Sequence, residues 1–250
     1  MDRVKTGIPG FDTLVEGGFP KGFNVLLVGQ AGAGKSIYGM QYLYNGALSG
    51  EPGIYVTLDM SEEKIFEQSK QFEWDFKKLQ DSKKISILKI PLDREKIRIF
   101  DMIQATVQEL NAKRLVFDSL AAFSINIDQF AVPLSFDDEV TRVLGRSKSS
   151  DGSLIYTGNS EKRITYLALN QLSKLGTTNL IITDEVAPGT MSTVDGVSEY
   201  VCDGLILLKS LAIGDTVNRT LEVSKMRCTK IDDGVKSYEI GSKGITLPSA

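Results

Sequence analysis

The sequence predicts an α/β fold, with a mainly parallel central sheet flanked by helices and an antiparallel extension near the C-terminus. Three observations carry this. Strand-like apolar runs alternate with segments of helical periodicity through most of the chain, the pattern of a parallel sheet with crossover helices. One run, Val25 to Val28, leads through a glycine-rich loop into a helix. The last third changes to short strands separated by turns, which suits antiparallel pairing. At 250 residues the chain reads as a single domain, 1–250, with room for a substantial core.

The elements follow in order. Residues Gly29 to Ser36 read Gly-Gln-Ala-Gly-Ala-Gly-Lys-Ser, the phosphate-loop pattern of Gly, four residues, then Gly-Lys-Ser. The helix after it runs from Lys35 to about Leu48, with Met40, Leu43, Tyr44 and Ala47 at helical spacing. Gly53 to Leu58 reads as a second strand, and Ser61 as the N-cap of a helix beginning Glu62-Glu63-Lys64. Ile85 to Ile90 is a strand, and Ile97, Phe100, Ile103, Val107 and Leu110 share one face of a helix ending near Asn111. Leu115 to Phe117 form a buried strand that delivers Asp118. Leu167, Ala168 and Leu172 lie on a helix before the strand Leu180 to Thr183. Gly204–Leu208, Thr220–Ser224 and Ser237–Ile240 are the short strands of the extension. The stretch from about 125 to 161 is the least regular, with Pro133, the acidic Asp137-Asp138-Glu139 and a polar run from Ser147 to Gly152. It reads as an insertion.

The loop has a direct chemical reading. Gly29, Gly32 and Gly34 let backbone N–H groups turn inward around a phosphate, and the helix N-terminus adds partial positive charge. Lys35 can reach β- and γ-phosphates, and the Ser36 hydroxyl can bind Mg2+. Gly29, Gln30, Ala31, Gly32, Ala33, Gly34, Lys35, Ser36 and Ile37 are therefore the candidate residues for binding a nucleoside triphosphate. Asp118, at a strand's C-terminal end, matches a Walker B aspartate and joins Ser36 as the second Mg2+ candidate.

Composition narrows the chemistry further. Histidine is absent, which removes Ser-His-Asp and Cys-His mechanisms and His-ligated zinc. Catalysis must use carboxylates, Lys, Arg and a metal. The net charge of −3 gives no general attraction to nucleic acid or anionic membranes. Cys202 and Cys228 lack metal-site spacing, so two reduced thiols in a cytoplasmic protein are expected. No membrane-length apolar run or signal peptide is read.

Several stretches together resemble the KaiC-like group of RecA-superfamily ATPases. They are Thr6-Gly7-Ile8-Pro9-Gly10-Phe11-Asp12, Gly17-Gly18-Phe19-Pro20-Lys21-Gly22, Gln41 to Gly46, Glu51 to Thr57, Phe72-Glu73-Trp74-Asp75 and Lys225-Met226-Arg227. The resemblance spans nearly the whole chain except about 125–161, and it is to the single-domain members rather than the tandem clock ATPase. It implies a RecA-like P-loop NTPase fold and a homo-oligomeric ring, usually a hexamer, with ATP held between subunits. Lys225 and Arg227 would then act in trans on the γ-phosphate of a neighbour's ATP. The family usually carries paired glutamates after the second strand, one of which acts on the attacking water. Here the chain reads Asp59-Met60, so Asp59 is the candidate base with one methylene less reach, and slow hydrolysis is expected. Glu62 and Glu63 are next in line. Asp184-Glu185 falls where RecA-like proteins sense the γ-phosphate; two ordinary strand-end carboxylates are the alternative.

Three functions stay open at this level. The first is an ATPase acting on an unidentified protein partner. The second is a recombinase paralogue holding single-stranded DNA. Against it, Val186 to Tyr200 contains no Lys or Arg and one aromatic, Tyr200, a poor composition for a DNA groove. Arg142, Arg146, Lys148, Lys162 and Arg163 offer basic charge elsewhere, mixed with acids. The third is a nucleotide-gated scaffold with little hydrolysis.

Overall fold

The computed structural model describes residues 1–92, 97–130, 146–148, 154–156, 160–185, 193, 195–213, 216–232 and 234–248. Short β1 (Arg3–Val4) and β2 (Phe19–Pro20) pair antiparallel ahead of β3 (Asn24–Gly29). Then come α1 (Lys35–Leu48), β4 (Gly53–Thr57), α2 (Glu62–Lys70), α3 (Phe76–Asp81), β5 (Ile85–Lys89), α4 (Ile99–Leu110), β6 (Arg114–Asp118) and α5 (Leu120–Ile125). The second half holds β7 (Arg146–Lys148), β8 (Leu154–Tyr156), α6 (Ser160–Ser173), β9 (Thr178–Asp184) and α7 (Ser198–Val201). It closes with β10 (Gly204–Ile213), β11 (Thr216–Met226), β12 (Lys236–Ser237), β13 (Glu239–Gly241) and β14 (Gly244–Thr246).

An eight-stranded sheet runs in the order β12-β11-β10-β3-β9-β6-β4-β5. From β10 to β5 every pairing is parallel; β11 and β12 add the antiparallel extension. This is the expected α/β architecture. Both faces of the parallel strands are covered, so adjacent residues enter opposite cores. Leu27, Tyr55, Val116 and Ile182 pack with Tyr38, Tyr42 and Leu43 of α1. Leu26, Val56, Phe117 and Ile181 pack with Ile103 and Val107 of α4 and Leu169 and Leu172 of α6. Strands buried on two faces read as continuous apolar runs, which is why they are legible in sequence.

Three expectations need revision. Ile97, expected on the helical face with Phe100 and Ile103, precedes α4 and forms a parallel bridge with Phe130, because the helix starts only at Ile99. The strands Gly204–Leu208 and Thr220–Ser224 are the inner parts of a longer hairpin, with β10 of 10 residues and β11 of 11. Beyond Leu208, β10 has no register with β3 and, among the described residues, pairs with β11 alone. Leu211 and Val217 are exposed there, so the outer strands lack a buried apolar pattern. The expected strand Ser237–Ile240 is divided. Ser237 pairs with β11, whereas Glu239–Gly241 pairs with Gly244–Thr246 in a separate ribbon. Within the stretch 125–161, β7 and β8 pair antiparallel. Pro133, Asp137, Asp138, Glu139 and Arg142 fall outside the described residues, as does most of Val186–Asp195. Among the described residues no helix is long and apolar enough to cross a membrane.

The end of the sheet away from the loop is tied down by Arg114, which opens β6 and is 2% exposed. Its guanidinium binds the Glu51 carboxylate through Nε and Nη2, donates from Nη1 to Tyr42 O at 2.8 Å, and lies 4.6 Å from the centre of the Tyr42 ring. Gly46 of α1 makes room, since a Cβ there would overlap the Arg114 Nε, Cδ and Cζ atoms. Gly46→Ala gains helix propensity of about 1 kcal/mol but displaces a buried, paired cation. The expected result is a net loss of about 2 kcal/mol, measured by urea denaturation.

Candidate functional site

Between β3 and α1 the backbone makes a tight wrap. At its entry, a Cβ on Gly29 would lie 2.5 Å from Leu208 O, so the neighbouring β10 backbone excludes any side chain. At its exit, Gly34 has φ +89°, and a Cβ there would meet Ile240 Cδ1 at 2.8 Å. Only glycine tolerates both the left-handed geometry and the contact. Ala31 and Gly32 face solvent, Ala33 is buried, and Ile37 packs at the core margin. Gln30 donates from its amide to Ser210 O, tying the loop to the β10–β11 hairpin. The first turn of α1 has no side-chain cap and no acidic residue. By contrast, Ser61 Oγ caps α2 by accepting from Lys64 N. The uncapped N–H groups of α1 thus form a ready anion site. Gln68 of α2 lines the open groove over Gly32, Gly34 and Ser36.

Side chains from three strands meet above this loop. Gly29 of β3 is in register with Asp184 of β9, and Asp118 of β6 is opposite Ile182 of β9 and Thr57 of β4. Ser36 Oγ donates to Asp118 Oδ2 at 2.8 Å, and the Tyr55 hydroxyl donates to the same oxygen. Lys35 Nζ donates to Gly29 O at 2.7 Å and Gln30 O at 3.0 Å, and pairs with Asp184 Oδ1 at 2.9 Å. The peptide between Asp118 and Ser119 is cis, and Ser119 Oγ caps α5.

Hydroxyl and carboxylate oxygens are the donor set that suits Mg2+, which commonly takes one or two protein ligands and completes its shell with phosphate and water. Ser36 and Asp118 fit that role. Among the described residues no cluster of three or more His, Cys, Asp or Glu could hold a metal alone. A cation here would therefore depend on phosphate oxygens.

The sequence-derived carboxylates separate in space. Asp59 is exposed at the turn after β4, where its charge acts on Asp118 as a like charge. Met60 N donates to Thr57 Oγ1 at 3.1 Å, which shapes that turn. Glu62 accepts from Gln80 of α3, and Glu63 is held below its ordinary pKa by its own backbone N–H and by Ser61. Both reserve carboxylates are thus engaged in holding helices.

Lys225 and Arg227 are not brought to the loop of their own chain. Lys225 is opposite Leu205, which pairs with Leu26 early in β3, whereas the loop follows Gly29 opposite Leu208. Lys225 Nζ donates to the carbonyls of Glu199, Tyr200 and Cys202, at 3.1, 3.3 and 2.6 Å. Burial and then the Arg227 charge lower its pKa. Arg227 is exposed and paired with Asp203 at 3.0 Å.

Four residues near the loop gave no functional signal in sequence. Tyr55 read as strand core, and Gln68 as one polar helix residue among several. Tyr238 donates its hydroxyl to Ala33 O in the loop. Arg219, whose charge acts on Tyr238, has a buried Nε without a hydrogen-bond partner among the described residues. Only the tertiary packing of strands, helix and connecting segments reveals them.

A phosphate loop on a central parallel strand, with an aspartate-bearing strand two positions away, defines the RecA-like class of P-loop domains. The family model described as "ATPase: KaiC" matches residues 4–143 and 154–249, and the chain belongs to this family. It is 30% identical over 99% of its length to UPF0273 protein MJ1359 of Methanocaldococcus jannaschii, covering 96% of that protein. It is 27% identical over 98% of its length to the circadian clock oscillator protein KaiC of Synechococcus elongatus, but spans only 44% of that relative. Among solved structures it resembles the KaiC-like protein PH0186 of Pyrococcus horikoshii OT3, with TM-score 0.78, 32% identity and 99% coverage of both chains.

Asp118 is 7% exposed, and burial pushes its carboxyl above the ordinary value, with Tyr55 and Ser36 hydrogen bonds opposing the shift. A raised folded pKa means the ionised group costs stability above that pKa, and the cost vanishes below the unfolded value. Both donors converge on one oxygen, so an asparagine can accept them equally. Asp118→Asn is expected to stabilise the nucleotide-free protein by on the order of 1 kcal/mol at neutral pH. The gain should shrink as pH falls through the folded pKa, as read by urea denaturation at neutral and acidic pH.

Proposed function

We propose that this chain binds Mg2+ and ATP at Gly29–Ile37 and hydrolyses ATP slowly at sites shared between subunits of a ring. The observation that carries the reading is the meeting of Ser36 with Asp118 at 2.8 Å, beside Lys35 and the uncapped start of α1. That combination supplies backbone donors for phosphate, a cation for the terminal phosphate and two oxygens for a divalent metal. Family membership supports the nucleotide.

The roles divide as follows. The N–H groups of the loop and α1 cradle the α- and β-phosphates. Lys35 bridges toward the γ-phosphate. Ser36 and Asp118 hold Mg2+, with Tyr55 fixing the Asp118 carboxylate from behind. When bound, the ion neutralises charge on the β- and γ-oxygens. Asp59 orients the attacking water. Its short reach and exposure support low turnover, because positioning within hydrogen-bond distance dominates this step. Lys225 and Arg227 lie at the opposite end of the strands from their own loop, which supports action on a neighbour's γ-phosphate. In that position they would stabilise charge spread over the transferring group.

A nucleotide-gated scaffold is the second reading. It is favoured by one observation: Glu62 is engaged by Gln80, and Met60 contributes no carboxylate, so Asp59 alone serves the water.

Lys35→Ala removes the loop's mobile cation while leaving a fold whose core lies elsewhere. ATP affinity, measured by calorimetry, should fall by about tenfold or more, at least ~1.4 kcal/mol. Unchanged affinity in a folded variant would defeat the phosphate-loop assignment.

The shared-site arrangement has its own test. Arg227→Ala and Lys35→Ala proteins should each be nearly inactive in phosphate release. Mixing them re-forms some interfaces that join an intact loop to an intact arginine, and part of the activity should return. No recovery despite demonstrated subunit exchange rules the arrangement out.

A further inference from the structure

Asp184 occupies a position that neither phosphate cradling nor metal binding explains. It ends β9, in register with Gly29, and its carboxylate lies 2.9 Å from Lys35 Nζ. An ammonium has three donors. Lys35 directs them at Gly29 O, Gln30 O and Asp184 Oδ1. Two of these acceptors are neutral backbone carbonyls of the loop itself. The Asp184 carboxylate is the charged acceptor, and so the direct competitor of an incoming phosphate for the cation.

We propose that Asp184 is a selectivity residue that weakens binding of a nucleoside triphosphate relative to a diphosphate. The inference rests on the nucleotide reading above. Two effects act in the same direction. Asp184 competes for Lys35 in the free protein, which weakens any nucleotide that Lys35 holds, and its negative charge lies beside the cation proposed to meet the third phosphate, which weakens the triphosphate more. A diphosphate is held chiefly by the loop N–H groups and feels this charge less, since Coulomb energy falls with distance. The Asp184 side chain is 50% exposed, against 11% for Lys35, so solvent screens the pair and the carboxylate can turn outward. The effect is therefore a graded bias and not a block. A site built this way would favour the diphosphate-bound state after hydrolysis, which accords with slow cycling.

Asp184→Asn keeps the shape and removes the charge. Affinities for Mg2+·ATP and Mg2+·ADP should be measured by calorimetry on the parent and variant, at low and at moderate salt. The expected result is a gain of about three- to tenfold for ATP and less than about twofold for ADP, with the difference narrowing as salt rises. Retained ADP binding by the variant also reports that the loop is intact. Asp184→Ala should shift the ATP-to-ADP ratio the same way. Equal shifts for both nucleotides, no shift, or weaker ATP binding by the asparagine variant would each overturn the inference. If neither nucleotide binds the parent protein, the nucleotide reading itself fails and this inference falls with it.

Discussion

The site depends on one constraint, the parallel register that ends β3, β9 and β6 at nearly the same level. Gly29, Asp184 and Asp118 are carried there by continuous ladders of backbone hydrogen bonds. A one-residue slip in any strand would turn its side chains to the opposite face. Both faces are buried, so such a slip would also cost core packing. The 2.8 Å approach of Ser36 to Asp118 is a product of sheet geometry, reinforced at the far end by Arg114.

Charge is placed against stability at this end of the sheet. Asp118 is buried, Lys35 spends its donors on the loop and one carboxylate, and α1 begins without a cap. Each feature leaves polar capacity that a polyanion and a divalent cation can satisfy. Ser61, Asp75 and Ser119 cap three other helices, whereas α4 and α7 also begin without a side-chain cap. What sets α1 apart is an uncapped start joined to the glycine loop, Lys35 and Ser36.

The opposite end of the sheet is chemically linked to the loop strand. Asp203 accepts from Asn24 N at 3.1 Å through Oδ2 and from Arg227 through Oδ1. The strand that ends in the phosphate loop thus begins beside the arginine. Lys225 and Arg227 are satisfied by partners in their own chain, and a role on a neighbouring subunit requires those contacts to be shared or exchanged.

The loop, the bounds of α1 and the Asp118 strand end were legible in the sequence because local pattern decides them. Gly29 to Ser36 specifies its own backbone, and apolar runs report strands buried on both faces. The KaiC family was legible from motifs spread along the chain. What stayed hidden depends on pairing between distant segments. The hairpin's outer strands gave no signal of burial, since beyond Leu208 β10 leaves β3, and Leu211 and Val217 are exposed. Tyr55 looks like core until β4 lies beside β6, and Glu62 looks available until α3 brings Gln80 to it. Asp184 becomes a partner of Lys35 only because β9 inserts between β3 and β6. Sequence determined the glycine loop, the helix after it and the strand end at Asp118, because those patterns are local. Tertiary structure decided which carboxylate faces which cation, because strand order is set by the packing of the whole sheet.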